Sequence, residues 1–179
     1  MALVTGSDIK AIAVKNAQFD EGLITTYAIE QAEETHILPF LGADLFADLL
    51  INPTATYNAQ LLAGCDYTNT SGYQRKFRGL KRAIAYFTMF DILPEIYSQI
   101  GSAGLFKNSV QFATSVTLEE CNNLRGLMYS KAQKSMEKVM EYLINNSVNF
   151  PLFNSITSGD DVFNNNFNPR KKLLGGMLL

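Results

Sequence analysis

The sequence predicts an all-α protein: a helical bundle with two long central helices, short flanking helices, and a loop or β-hairpin arm. Two apolar stripes at three-to-four spacing predict the long helices. One runs through Tyr73, Phe77, Leu80, Ile84 and Phe87, and the other through Leu124, Leu127, Met128, Ala132, Met136, Val139, Met140 and Leu143. The third observation is that this period vanishes over 101–117, where Gly101 and Gly104 precede β-branched and aromatic residues that alternate loosely with polar ones.

The elements follow in order. Residues 1–19 read as a lead-in holding a short helix to Val14, with Ser7 or Asp8 as its cap. Asp20 opens a helix whose inner face is Leu23, Ile24, Tyr27, Ala28 and Ala32. Pro39 breaks it near Ile37, because a residue before proline avoids the α region. Gly42 turns the chain into a short helix carrying Leu45, Phe46, Leu49 and Leu50 inward, and Asn52-Pro53 ends that helix. Thr56 to Ala63 form another, and Gly64 to Gly72 are polar and turn-rich. The first long helix is expected over 71–93, apolar almost all round from Ala83 onward as befits a central position. Pro94 to Ile100 continue as a kinked or separate piece. Thr117-Leu118-Glu119-Glu120 is a capping box that starts the second long helix, ending near Asn145. The two long helices are expected to pack antiparallel. The domain expected from this reading spans 1–153 with an arm at 101–117. An extended C-terminal tail occupies 154–179, where Asn164 to Pro169 are of low complexity and Leu173 to Leu179 are apolar around two glycines.

Bulk properties narrow the function. A chain of 179 residues is long enough for one well-buried core. Twelve Phe and eight Tyr on a chain only 18% charged give more adhesive surface than a lone monomer hides easily, which favours an oligomer. A formal net charge of −2 steers the whole molecule toward neither nucleic acid nor membrane, so any such affinity must be local. Met1 to Lys10 carry no secretory core and no run is long enough to span a membrane, which points to the cytoplasm. Cys65 and Cys121 lack metal-ligand spacing and read as reduced thiols.

The chemistry of the chain points away from an enzyme. His36 is the sole histidine and reads as a packed ring beside Ile37-Leu38-Pro39. Neither cysteine has a histidine at a motif spacing, no phosphate-binding glycine motif stands between strand and helix, and Glu119-Glu120 are explained by the cap. No catalytic residue, cofactor or metal is expected. Two features stand out instead. Arg75, Lys76, Arg78, Lys81 and Arg82 form a basic cluster, with Arg75, Arg78 and Arg82 along one stripe of the predicted helix, as an interface or DNA-facing patch. Glu30, Glu33 and Glu34 supply a complementary acidic face on an earlier helix, suited to packing one copy against a neighbour. The arm carries Phe106 and Phe112 as contacts for a neighbour, and Phe163 and Phe167 lie in the tail.

Three segments carry a family resemblance. They are Ile37-Leu38-Pro39-Phe40-Leu41-Gly42-Ala43-Asp44-Leu45-Phe46, then Ala83-Ile84-Ala85-Tyr86-Phe87 through Leu93-Pro94, and finally Tyr142-Leu143-Ile144-Asn145-Asn146 with Phe150-Pro151-Leu152-Phe153. In this order and spacing, over about residues 7–153, the chain resembles a set of small proteins encoded in phages and prophages of Bacteroides-type bacteria. That set is similar in size and helical layout to the head–tail connector (head-completion) proteins of tailed phages. The resemblance implies a structural virion subunit. It would form a homo-oligomeric ring between portal and tail proteins, with non-specific contact to DNA in its channel and no membrane partner. It would be assembled in the bacterial cytoplasm and carried in the virion. The alternative is a cytosolic helical adaptor or regulator binding one peptide or protein.

Overall fold

The computed structural model describes residues 2–14, 19–101, 104–107 and 117–154. Within them the chain is mostly helical, with two small two-stranded antiparallel sheets. The first helix, α1 (Gly6–Ala13), is closed by a capping box: the Thr5 hydroxyl accepts from the Asp8 amide and the Asp8 carboxylate accepts from the Thr5 amide. The cap is thus Thr5, ahead of the expected Ser7 or Asp8, because Asp8 serves as the returning acid of the box.

Asp20 does not open a continuous helix. Its carboxylate accepts from Gly22 and starts a single 3-10 turn, Glu21–Leu23; Thr25 then caps α2 (Thr26–Ala32). Ile24, Ile29 and Ala32 are buried, whereas Tyr27 is exposed, so the inner face lies beside the expected one. The helix also fails to break at Ile37. It widens into a π-helical stretch, Glu33–Ile37, and continues as α3 (Leu38–Leu41). The shift of register puts Pro39 in a first turn, where its missing N–H is not needed.

Gly42, at φ 84°, makes the turn into α4 (Ala43–Ile51), and α5 (Thr56–Ala63) follows. The link between them is held by Asn58, whose buried side-chain amide donates to Asp48 at 2.8 Å and to the Asn52 carbonyl at 3.1 Å. These amides of Asn58 and Asn52 hold the Asp48 carboxyl below its ordinary range.

The largest departure comes next. Residues 71–77, expected to be helical, belong to a hairpin: β1 (Cys65–Thr68) pairs with β2 (Gln74–Phe77), Cys65 opposite Phe77 and Thr68 opposite Gln74. Phe77, Leu80, Ile84 and Phe87 are buried as expected, but Tyr73 is exposed on the hairpin. The first long helix is α6 (Lys81–Tyr97), which passes through Pro94 without ending. A second hairpin follows directly, β3 (Ser98–Gly101) with β4 (Gly104–Lys107). The arm therefore begins earlier than expected and is a strand pair as far as it is described.

The last long helix, α7 (Leu118–Asn145), starts at the predicted Thr117 box, with the Glu120 carboxylate accepting from the Thr117 amide at 2.7 Å. Leu124 and Leu127 are more exposed than the stripe implied, while Cys121 and Tyr142 are buried. A 3-10 turn, Ser147–Asn149, and α8 (Pro151–Asn154) close the described chain. Of the predicted tail, 154–179, Asn154 ends α8 and 155–179 lie outside the described residues, as does Phe112.

α7 runs antiparallel along α6, as successive contacts record. Cys121 reaches the Leu93 carbonyl, Arg125 donates to the Phe90 carbonyl, Tyr129 stands edge-on to Phe87, and Tyr142 stacks on Phe77. α1 and α2 pack on other sides of α6. One connected apolar core runs from Val4 to Phe153.

Glu33 is an unexpected member of this interior. It is only 1% exposed, and its carboxylate accepts from the Leu3 amide at 2.8 Å, tying the start of the chain to the π-helical stretch. Burial, helped by nearby Glu30, pushes its pKa from the ordinary 4.5 up to about 7 against the pull of the Leu3 and Val4 amides.

Two outcomes test this description. Phe87→Ala should cost about 3–5 kcal/mol in denaturant unfolding, since it empties a fully packed site. Glu33 holds its proton more tightly folded than unfolded. Its stabilising contribution is therefore full below about pH 4.5 and is lost as pH rises through about 7. Glu33→Gln, which keeps an acceptor for Leu3, should remove that loss, read as a flatter pH profile of the melting temperature.

Candidate interaction surface

The site is built at the point where α5, the first hairpin and α6 meet. Gly64 (φ 94°) and Gly79 (φ 83°) lie back to back there. A Cβ on Gly64 would press into the Phe77 carbonyl, and one on Gly79 into the Leu62 carbonyl. Both positions also need a backbone conformation that L side chains rarely adopt. The Leu80 amide donates to the Leu61 carbonyl at 2.8 Å and locks the crossing. This contact sets the exit of β2 against the entry of α6, so the basic residues on either side of Gly79 converge.

They converge on an open recess of about 560 Å³ lined by Lys76, Arg78, Lys81 and Arg82, with Asp8 and Ile12 from α1 and Cys65 and Asp66 from β1. Lys81 is paired: its Nζ lies 3.1 Å from Asp8 Oδ2, and both groups are one-third exposed. Burial opposes ionisation of Asp8, but the Thr5 amide and the Lys81 ammonium outweigh it and hold the carboxyl below its usual range. Lys76 stands across the hairpin from Asp66. Four cations against two carboxylates leave the recess net positive.

The expected single stripe of Arg75, Arg78 and Arg82 does not exist, because the three sit on a strand, a turn and a helix. The period-two alternation of β2 sends Arg75 to a neighbouring small cleft of about 150 Å³ beside Tyr67, Lys138 and Glu141. The cluster survives by a different route, with Lys76, Arg78, Lys81 and Arg82 in one place. The complementary acidic face is also reduced. Glu33 is interior, Glu30 is half-buried, and Glu34 alone of the three is well exposed. Of the expected arm contacts, Phe106 lies on β4, opposite Gln99.

Behind the hairpin stands Tyr142. Its ring stacks on Phe77 at 4.3 Å and meets Tyr67 and Phe150 edge-on, while its hydroxyl donates to Gln60 Oε1 at 3.3 Å. Burial, and contact with the Cys65 thiol, raise its pKa far above the ordinary tyrosine value. At the hairpin tip the Thr70 amide donates to Asn145 Oδ1 at 2.9 Å. The recess wall is therefore fixed to α7 at two heights.

His36 is a packed ring. It stacks on Phe87 at 4.3 Å, nearly parallel, and its Nε2 lies 3.1 Å from Asp91 Oδ2. His36 is thus the partner of Asp91, one of the two acids of α6. Cys65 and Cys121 are free thiols. Among the described residues no group of His, Cys, Asp and Glu could hold a metal ion, and no helix is long and apolar enough to cross a membrane.

The crossing is open to test. Gly79→Ala should destabilise the fold by more than the about 1–3 kcal/mol of an L residue forced into a strained conformation, because the Leu62 backbone must also shift. Thermal melts against Gly72→Ala, whose added Cβ meets nothing within 4 Å but shares a positive φ, separate steric from conformational cost.

No curated protein matches the chain, and no solved structure does. A family model matches residues 37–162, from the π-helical stretch through the recess and both long helices. That span is most of the sequence, and the chain belongs to this family of unknown function (DUF6712).

Proposed function

We propose that this chain is a non-enzymatic structural subunit that works by binding other protein chains, and that it serves as a head–tail connector. In this reading it forms a homo-oligomeric ring between portal and tail proteins, assembled in the host cytoplasm and carried in the virion. The architecture is read as a helical bundle around the antiparallel pair α6 and α7, with the second hairpin as its arm. One observation carries the binding role. Lys76, Arg78 and Arg82 surround an open recess in which Asp8 is already paired with Lys81, so the remaining positive charge awaits an acidic partner. The order and spacing of the three segments that resemble phage proteins supply the assembly context.

The recess faces a neighbouring protein in this reading. A net charge of −2 over the whole chain gives a duplex-wide DNA surface little support, and acidic groups such as Glu34 stand exposed on an equivalent copy.

Arg78→Glu should weaken assembly about tenfold or more, equivalent to at least ~1.4 kcal/mol, in mass measurements across a dilution series. Glu34→Lys should partly restore it. Normal assembly by Arg78→Glu would remove the recess from the interface. If the same variant instead lowered the salt slope of duplex DNA binding by about one, the recess would be a phosphate contact.

A further inference from the structure

The basic recess is short of negative charge. Lys76, Arg78, Lys81 and Arg82 line it against Asp8 and Asp66, which leaves a surplus of two positive charges. Beyond the described residues the sequence holds only two side-chain carboxylates, Asp160 and Asp161, and they are adjacent. They are the first acids after Glu141, because residues 142–159 carry no charge. The family match does not stop at α8. It extends to residue 162, so both aspartates lie in the part of the chain that the family shares, whereas the Asn-rich run from Asn164 does not. The described chain also ends close to the recess. Asn154 closes α8, and behind it Tyr142 meets the Phe150 ring at 5.9 Å and the Phe77 ring at 4.3 Å, with Phe77 lining the recess. From Asn154 to Asp160 an extended chain spans about 20 Å, enough to pass this aromatic layer.

We infer that Asp160 and Asp161 dock in the basic recess of their own chain in the free subunit, and that a neighbour's acidic group must displace them for assembly. The inference rests on the reading of the recess as the assembly contact and adds a regulation to it. Two observations choose this occupant. The pair supplies two negative charges to a surplus of two, where Glu34 of another copy supplies one. The pair is also tethered, and a short tether gives an effective concentration in the millimolar range, which a second copy reaches only at high protein concentration. The later Arg170-Lys171-Lys172 has the wrong sign to compete. Lys76 and Arg78 are exposed and Lys81 and Arg82 half-buried, so the pairing is screened and modest in strength. It therefore delays a partner without excluding one.

The test treats the full chain, at a dilution where it is monomeric, with a carbodiimide, which joins a carboxylate to a neighbouring lysine amine as an amide. Lys138 and Glu141, 2.7 Å apart, are the internal control. A link from Asp160 or Asp161 to Lys76 or Lys81 within one chain is expected, and it should fade at high salt. Asp160→Asn with Asp161→Asn should leave the melting temperature unchanged and tighten assembly about fivefold, the effect of uncovering a recess that is occupied about four-fifths of the time. A chain that forms the Lys138–Glu141 link but no link from either aspartate would overturn the inference. Links found only between differently isotope-labelled chains would overturn docking within one chain and make the pair a contact between copies. An assembly constant unmoved by the double Asn variant would also overturn it, provided that Arg78→Glu does weaken assembly. Normal assembly by Arg78→Glu with the aspartate link intact would count against the recess as the assembly contact and leave the docking standing.

Discussion

Everything in this molecule is arranged around the burial of α6. Ala83, Ile84 and Ala85 are consecutive and all fully buried, and Phe87, Thr88 and Met89 repeat the pattern one turn later. Three successive residues of a helix sweep more than half its circumference, so such a run leaves only a narrow half-exposed strip, along Arg82, Tyr86 and Phe90. A helix of this kind is stable only with neighbours around most of its circumference. α7 supplies one wall, α1 and α2 supply others, and the capping boxes at Thr5 and Thr117 mark where two of those walls begin. Even the polar Thr88 is absorbed, its hydroxyl donating to the Ile84 carbonyl within the same helix. Asp91 interrupts the apolar run between Ala83 and Leu93, and His36 from the π-helical stretch covers it.

Periodicity made α7, α4 and α5 legible, because each presents a simple inner face bounded by a cap or a turn residue. It misled at 71–77. Tyr73, Phe77, Leu80 and Ile84 satisfy a helical spacing, yet Phe77 reaches the core from a strand and Tyr73 does not reach it at all. Gly79, in the middle of the expected helix, was the contrary signal, since an isolated glycine there costs about 1 kcal/mol against alanine. What the sequence could not display is that Gly79 meets Gly64, because that contact is made only once the hairpin has folded. Glu33 was misread for a related reason. The widened turn from Glu33 to Ile37 rotates side chains away from ideal positions, and a carboxylate that belongs outside on an ideal helix turns inward.

The basic cluster shows how residues close in sequence stay grouped in space when the scaffold differs from the expected one. Helical geometry grouped Arg75 with Arg78 and Arg82. A strand, a tight turn and a helix start grouped Lys76, Arg78, Lys81 and Arg82 instead. Charge density along the chain survived the change of local structure, because a short sequence interval stays compact in space. The choice of members depended on backbone geometry and did not. The same logic explains the acidic partner face, whose three members were adjacent in sequence but ended in three environments, namely interior, half-buried and exposed.

The amide of Asn145 has a consequence for how the recess meets a partner. Its oxygen accepts from Thr70 at the hairpin tip while its nitrogen donates to the Glu141 carbonyl, and Asn69 closes the tip from within by accepting from Ser71 and Tyr73. The hairpin is thereby ordered at both ends before any encounter. In the proposed binding role, a partner at Lys76 and Arg78 would meet side chains on a wall whose backbone entropy is surrendered during folding, so little of the association free energy would go to stiffening it. The hairpin wall of the recess is held by one asparagine that lies 75 residues away in sequence from the amide it accepts from.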